Sequence, residues 1–287
     1  MYLKYQFYLC MFIFSSFSLT VNAQDTQAIN LNTSHYIPLI MGEIEKKEVK
    51  LLFDTGSNAP LILNEKILKN LNTAIKTGKI RKSIDSSGQI TSSYEVIIPK
   101  LTINSMTIPQ INTYSYQPWG LKFSPDKSKN SKKEGLIADN FHEQHDGIIG
   151  INLFLNKKLI IDYSNQKIVI FEHNVIPFPY NEKNWQKISY LSNDEGLVIS
   201  GKINNTKVAT FLLDTGATAS IIKPDILRNI DQNLANLNFN NFTVVDHFFH
   251  KIEFQEPQVD GILGYNFFNN TLVLIDLINQ NIFLANL

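Results

Sequence analysis

Cysteine is almost absent: the chain of 287 residues holds one, Cys10, inside an apolar N-terminal stretch. Beyond that stretch no thiol remains, which excludes a disulfide framework and thiol catalysis. Stability has to come from the core. At this length, 44% hydrophobic residues can fill one large core or two smaller ones. A charge excess is missing as well. Basic and acidic residues number 26 each, so nothing points to nucleic acid or to an anionic membrane surface as a partner. There is no Gly-x-Ser-x-Gly nucleophile elbow and no phosphate-cradling Gly-Lys-Ser/Thr loop. His142-Glu143-Gln144-His145 and His247-Phe-Phe-His250 lack the His-Glu-x-x-His spacing that puts two ligands and a glutamate on one helical face, so no metal site is expected.

Long apolar runs are limited to one. It extends from Phe7 to Val21, follows Met1-Tyr-Leu-Lys4, and ends in the small-x-small pattern Val21-Asn22-Ala23. It is shorter than the roughly 20 residues that span a bilayer. It reads as a secretory signal over residues 1–23, cut after Ala23, with an uncleaved anchor as the alternative. Cys10 precedes most of the run, which argues against a lipoprotein box. The expectation is an exported protein, periplasmic or extracellular, that makes no membrane contact after cleavage.

What the chain does have is itself, twice. Leu51-Leu-Phe-Asp54-Thr55-Gly56-Ser57 recurs as Phe211-Leu-Leu-Asp214-Thr215-Gly216-Ala217. Upstream, Gly42-Glu-Ile44 matches Gly201-Lys-Ile203. Downstream, Asp146-Gly-Ile-Ile-Gly150-Ile-Asn152 matches Asp260-Gly-Ile-Leu-Gly264-Tyr-Asn266, and Leu159-Ile-Ile-Asp162 matches Leu274-Ile-Asp276. One unit is duplicated, and the first copy carries extra material between its two motifs. Apolar, often alternating segments at 35–44, 47–53, 95–103, 159–163 and 167–171 predict strands, as do 198–203, 207–213, 272–276 and 281–285. Short helices are predicted after each Asp-Thr-Gly: Asn64 capping Glu65–Leu71, and Pro224-Asp225 opening Ile226–Ile230. The polar residues 172–190, with Pro177 and Pro179, read as a connector between a first lobe at 24–171 and a second at 191–287.

Asp-Thr-Gly after a buried strand holds a carboxylate at the edge of a core. The glycine permits a tight turn and brings backbone N–H groups to the carboxylate oxygens. Two such loops face to face would place Asp54 and Asp214 in contact. Like charges that close cannot both ionise, so the pair shares one proton. One carboxylate can then act as general base on water while its protonated partner polarises a carbonyl.

With both motifs in view, the chain resembles the pepsin/retropepsin superfamily of aspartic peptidases over nearly all of 36–287. Ile148-Ile-Gly-Ile-Asn152 and Ile262-Leu-Gly-Tyr-Asn266 look closer to the retropepsin form. The resemblance implies an all-β fold with a few short helices, in which two related barrel-like lobes enclose a central cleft. It implies a catalytic dyad of Asp54 and Asp214, a reciprocal grip by Thr55 and Thr215, and backbone N–H donation by Gly56 and Gly216. It further implies a monomer without cofactor that hydrolyses extended peptide or protein substrates. A flap is expected around Asp85-Ser86-Ser87-Gly88-Gln89 with Ile84 and Ile90 at its flanks; the usual flap tyrosine is not evident, and Tyr94 is the nearest. The second lobe reads as too short for an equivalent. Ser57 could hydrogen-bond the outer oxygen of Asp54 where Ala217 offers nothing to Asp214. That predicts an ionised Asp54 and a protonated Asp214. The insertion at 113–145, with Trp119 and the basic run Lys127–Lys133, reads as a solvated loop, or alternatively as a lid near the cleft. Two other functions stay open: a catalytically silent peptide-binding or inhibitory module on this fold, and a two-carboxylate glycosidase.

Overall fold

The computed structural model describes residues 26–84, 90–116, 145–193, 196–228, 233–254 and 258–287. The chain opens with β1 (Thr26–Asn30). The first copy of the repeat then runs β2 (Leu39–Ile44), β3 (Lys47–Asp54), β4 (Ile62–Asn64), α1 (Glu65–Lys69), β5 (Ile75–Ile84), β6 (Ile90–Ile103), β7 (Met106–Tyr116), β8 (Gly147–Gly150), β9 (Lys158–Asp162) and β10 (Lys167–Phe171). After β11 (Gln186–Asn193) the second copy runs β12 (Gly196–Ile203), β13 (Lys207–Leu213), β14 (Ile221–Ile222), β15 (Leu234–Phe239), β16 (Phe242–Phe248), β17 (His250–Lys251), β18 (Gly261–Leu263), α2 (Tyr265–Phe268), β19 (Leu272–Asp276) and β20 (Asn281–Ala285).

The two copies use the same pairings. β2 and β3 form a hairpin through the two residues Glu45-Lys46, both at positive φ, the geometry that matches the twist of paired strands, and β12 and β13 one through the three residues Asn204-Asn205-Thr206, the first two at positive φ. β3 lies parallel to β8 and β13 parallel to β18. β4 and β14 each run antiparallel to that same neighbour, and parallel to β7 and β17 respectively. In the first lobe the ring β2-β3-β8-β4-β7-β6 closes where Glu43 of β2 meets Thr102 of β6. Inside it Leu51, Phe53, Leu63, Ile98 and Leu101 are fully buried. The lobes are therefore barrel-like, and the all-β reading with few helices is correct.

A shared sheet joins the lobes in the order β1-β10-β9-β19-β20-β11. Its centre is the antiparallel pair of β9 and β19, one from each copy. Every residue of both strands is buried, so they read as continuous apolar runs without alternation. The exceptions are partnered: Lys158 and Asp276 form an ion pair of 3.3 Å across this seam, and the Asp162 carboxylate accepts from Ser164, Asn165 and Tyr180.

β1 zips onto β10, and Ile29 and Leu31 are buried there. Two local expectations need correction. The helix expected after Pro224 is a run of turns over 224–228. There the carbonyls of Asp225 and Ile226 accept from Lys207 Nζ, at 3.1 and 3.4 Å; residues 229 and 230 of the expected helix lie outside the described residues. The helix after Asn64 does form, with the Asn64 side chain accepting from the Lys66 N–H at 2.9 Å. Lastly, β7 carries ordered strand into the insertion as far as Tyr116, so its first residues are not loop; the basic run lies outside the described residues.

Candidate active site

The local frame of the site starts with the glycine motifs. Asp146 lies beside β3: its carboxylate accepts the Lys50 N–H at 2.8 Å, and its own N–H donates to the Lys50 carbonyl. Asp260 does the same to Thr210, its carboxylate accepting at 2.9 Å. These clips set the register of β8 and β18 against the strands that end in Asp54 and Asp214. The chain then passes under the Asp-Thr-Gly loop at very close range. A Cβ on Gly150 would lie 2.1 Å from the Ala59 carbonyl oxygen, and one on Gly264 2.6 Å from that of Ala219. Only glycine fits there. The next residues complete the contact, with Ile151 N–H donating to Ser57 O and Tyr265 N–H to Ala217 O, both at 2.9 Å.

The two loops so held meet on the pseudo-twofold axis. Thr55 Oγ1 donates to Leu213 O at 2.7 Å and accepts the Thr215 N–H at 3.0 Å. Thr215 Oγ1 donates to Phe53 O at 2.7 Å and accepts the Thr55 N–H at 3.0 Å. Both threonines are fully buried, so each bond is formed out of water's reach. Above this grip Gly56 N–H donates to Asp54 Oδ1 and Gly216 N–H to Asp214 Oδ1, both at 2.8 Å. Each glycine also faces the opposite carboxyl: a Cβ on Gly56 would lie 2.8 Å from Asp214 Cγ, and one on Gly216 2.8 Å from Asp54 Cγ.

The Asp54 and Asp214 carboxyl groups hydrogen-bond each other. Burial pushes the affinity of both for a proton above the ordinary carboxylate range. At Asp54 the nearby charge of Asp214 and the bond between them push further in the same direction, against the Gly56 and Ser57 N–H groups. The dyad therefore holds one proton between two like groups. Ser57 meets Asp54 through its backbone N–H, and among the described residues its hydroxyl makes no hydrogen bond to that carboxyl. On the other side the Ala217 N–H reaches Asp214 Oδ1 at 3.2 Å. The backbone donors match on both sides, so the expected placement of the proton on Asp214 loses its basis.

Beneath the dyad lies Tyr163, to which the sequence reading gave no role. Its hydroxyl donates to Thr215 O at 3.5 Å, and its ring packs on Tyr265 and Phe268 with centroids 5.6 Å away. Burial, then the charge of Asp214, holds this phenol well above its usual range, so it stays neutral. The signal was present in the repeat, where Asp162-Tyr163 stands against Asp276-Leu277.

Of the expected flap, Ser86, Ser87 and Gly88 lie outside the described residues. Ile84 and Ile90 pair at the end of the β5–β6 hairpin, and Ile80 pairs with Tyr94 further down. Even-numbered residues share one face of this hairpin, so exposed Ile80, Ile90 and Tyr94 lie together. Among the described residues of the second lobe, β15 and β16 correspond to β6 and β7, and β5 has no counterpart. His145 and His247 are buried and His250 lies in β17, while His142 and Glu143 fall outside the described residues.

Comparisons with known proteins agree with this geometry. Residues 40–153 match the family model described as aspartyl protease, a stretch that runs from β2 past β8. No curated protein sequence matches the chain. Among solved structures, the crystal structure of aspartic proteinase from Irpex lacteus is similar at 13% identity with a TM-score of 0.61, covering 91% of this chain and 97% of that one. At that identity the likeness shows the fold, two lobes of the acid-protease type. The first lobe thus matches the aspartyl protease model in sequence, and the whole length shares the two-lobed acid-protease fold.

Proposed function

We propose that the protein is an aspartic endopeptidase in which Asp54 and Asp214 activate water against a peptide bond. The observation that carries this reading is the pair of carboxyl groups in mutual hydrogen-bond contact, each fixed by a glycine N–H above a buried threonine grip. With one proton between them, the ionised carboxylate takes a proton from the attacking water. The protonated partner donates to the carbonyl oxygen of the scissile bond. The tetrahedral diol then collapses as a proton passes to the leaving amine. No covalent intermediate and no cofactor is required. The exposed apolar face of the β5–β6 hairpin, with Ile80, Ile90 and Tyr94, is suited to lie on an extended substrate and grip apolar side chains. Glycoside hydrolysis needs about 5 Å or more between its carboxyl groups to admit an anomeric carbon, and groups in direct contact leave no such gap.

Export rests on residues 1–23, with the periplasm or the exterior as the place of action and unfolded or extended protein as the substrate class. The test is cleavage of an unfolded protein by the chain from Gln24 onward, across acid to neutral pH. Wild type runs beside Asp54→Asn and Asp214→Asn. Loss of cleavage in both variants is expected. Cleavage that survives either substitution refutes the dyad, and a folded wild type inert at every pH favours a silent binding module.

A further inference from the structure

A second difference between the two copies lies behind the catalytic loops. Counting from the aspartates, Asp54-Thr-Gly-Ser-Asn-Ala-Pro60 stands against Asp214-Thr-Gly-Ala-Thr-Ala-Ser220. Pro60 brings no hydroxyl. Ser220 brings one, fully buried, and His247 of β16 meets it: Nε2 and Oγ lie 2.9 Å apart. His247 is itself buried, edge-on to Phe249 and Phe267 with centroids 4.8 and 6.0 Å away. It is a titratable group that the proposed chemistry does not use.

The contact leads to the dyad along one peptide group. Ser220 Oγ accepts the Gly264 N–H at 3.0 Å. The carbonyl of that same peptide unit, Leu263 O, accepts the Asp214 N–H at 3.1 Å. The Leu263–Gly264 peptide is thus held from both ends, by Ser220 on its N–H and by the backbone of Asp214 on its C=O. Rotating it would break both bonds. The flanks are tied down too: Ser220 N–H donates to Asn266 Oδ1 at 2.7 Å, and Asn266 Nδ2 donates to Phe248 O at 2.8 Å, one residue from His247. A neutral imidazole accepting at Nε2 from the Ser220 hydroxyl leaves the serine oxygen free to accept from Gly264. Bonds linked this way polarise and stiffen one another in a dry interior.

We propose that His247, acting through Ser220, is a positioning residue for the second catalytic loop: it orients the Leu263–Gly264 peptide that fixes the backbone of Asp214. The first lobe has Pro60 at the matching place, so the two halves of a near-symmetric dyad are supported unequally. The proposal rests on the aspartic-peptidase reading for its kinetic consequence, but not for its structural one.

The experiment therefore reads both. Amide hydrogen exchange is followed by NMR in wild type, Ser220→Ala, His247→Phe and His247→Gln. Exchange at Gly264 and Asp214 is expected to speed up about fivefold in the first two, with Gly56 unchanged, because one buried hydrogen bond is worth about 1 kcal/mol net. His247→Gln, whose amide reaches about as far as Nε2, is expected to restore protection. Peptide cleavage should show kcat lowered about tenfold at unchanged KM in Ser220→Ala and His247→Phe, rescue in His247→Gln, and a double variant no worse than either single one. A general packing role would instead lower thermal stability and speed exchange across the lobe without separating Phe from Gln. Wild-type exchange rates at Gly264 and Asp214 in the Ser220→Ala and His247→Phe variants would overturn the proposal. If wild type does not cleave, the dyad reading fails while the exchange data still decide this one.

Discussion

Replacing Thr55 by valine removes one oxygen and keeps the shape, which makes it a direct probe of how the lobes are joined. Thr55 Oγ1 donates to Leu213 O at 2.7 Å and accepts the Thr215 N–H at 3.0 Å, both belonging to the other lobe. Valine leaves that carbonyl and that N–H without partners in a place with no solvent exposure. Each orphaned group costs about 1–3 kcal/mol, so the substitution is expected to destabilise by about 2–6 kcal/mol. Against a typical total of about 5–15 kcal/mol this is a large fraction. Thr55→Ser keeps the hydroxyl and loses one methyl, and should cost about 1 kcal/mol. Urea denaturation of wild type, both single variants and Thr55→Val/Thr215→Val measures this. The double variant should cost less than the sum, since the first loss already loosens the loops that the second would loosen. A Thr55→Val protein within about 1 kcal/mol of wild type, or no more destabilised than Thr55→Ser, would refute the claim that these bonds are formed and dry.

Three further outcomes are expected. Both dyad carboxyls have folded-state pKa values raised above the ordinary 3.8 by burial, so their contribution to stability is fully present below 3.8 and is lost as pH rises through the raised values. Asp54→Asn should therefore unfold at higher urea than wild type at neutral pH, with the gap closing on acidification; a constant gap would contradict the raised pKa. Gly216→Ala would set a methyl 2.8 Å from Asp54 Cγ, and a displacement of that order should lower kcat about a hundredfold while circular dichroism stays that of wild type. Lys158→Met removes the cation beside Asp276 in the buried seam, while Ile278 and Asn279 still donate to its carboxylate, so the cost by urea denaturation should fall below the roughly 3–5 kcal/mol of a wholly uncompensated buried charge. The cost should shrink in Lys158→Met/Asp276→Leu, where no charge is left unpaired.

The sequence exposes the site better than its surroundings, for a physical reason. Asp54, Thr55, Gly56 and their second copies are contiguous, and the constraints on them are local: a tight turn, a close approach, a carboxylate at the end of a buried strand. The glycines at 150 and 264 are visible because a Cβ there would collide with backbone. The roles of Asp146 and Asp260 are not visible, although the residues are, because each clips to a strand about 50 to 100 positions away. β1 is hidden for the same reason: Thr26–Asn30 is a short, half-exposed segment whose partner, β10, lies on the far side of the first lobe in sequence. The turns at 224–228 depart from local propensity where a distant residue reaches in: Lys207, from a hairpin upstream, donates to the carbonyls of Asp225 and Ile226. Ser57 misleads in the opposite way: its side chain is suited to a bond that its backbone N–H makes instead.

Both halves of the dyad sit on one polypeptide, and the strands that seal them together, β9 and β19, are each contributed by one copy of the repeat. Meeting of the two loops is then an intramolecular event, set by tether length and independent of dilution. A pair of identical chains would have to keep every residue fit for both sides of its axis at once. Tethered copies are released from that constraint, and the chain shows the result. Among the described residues one copy carries the extra strand β5 and its hairpin, and the other places Ser220 and His247 behind its loop where the first has Pro60. On one chain, a near-symmetric site is free to have a front and a back.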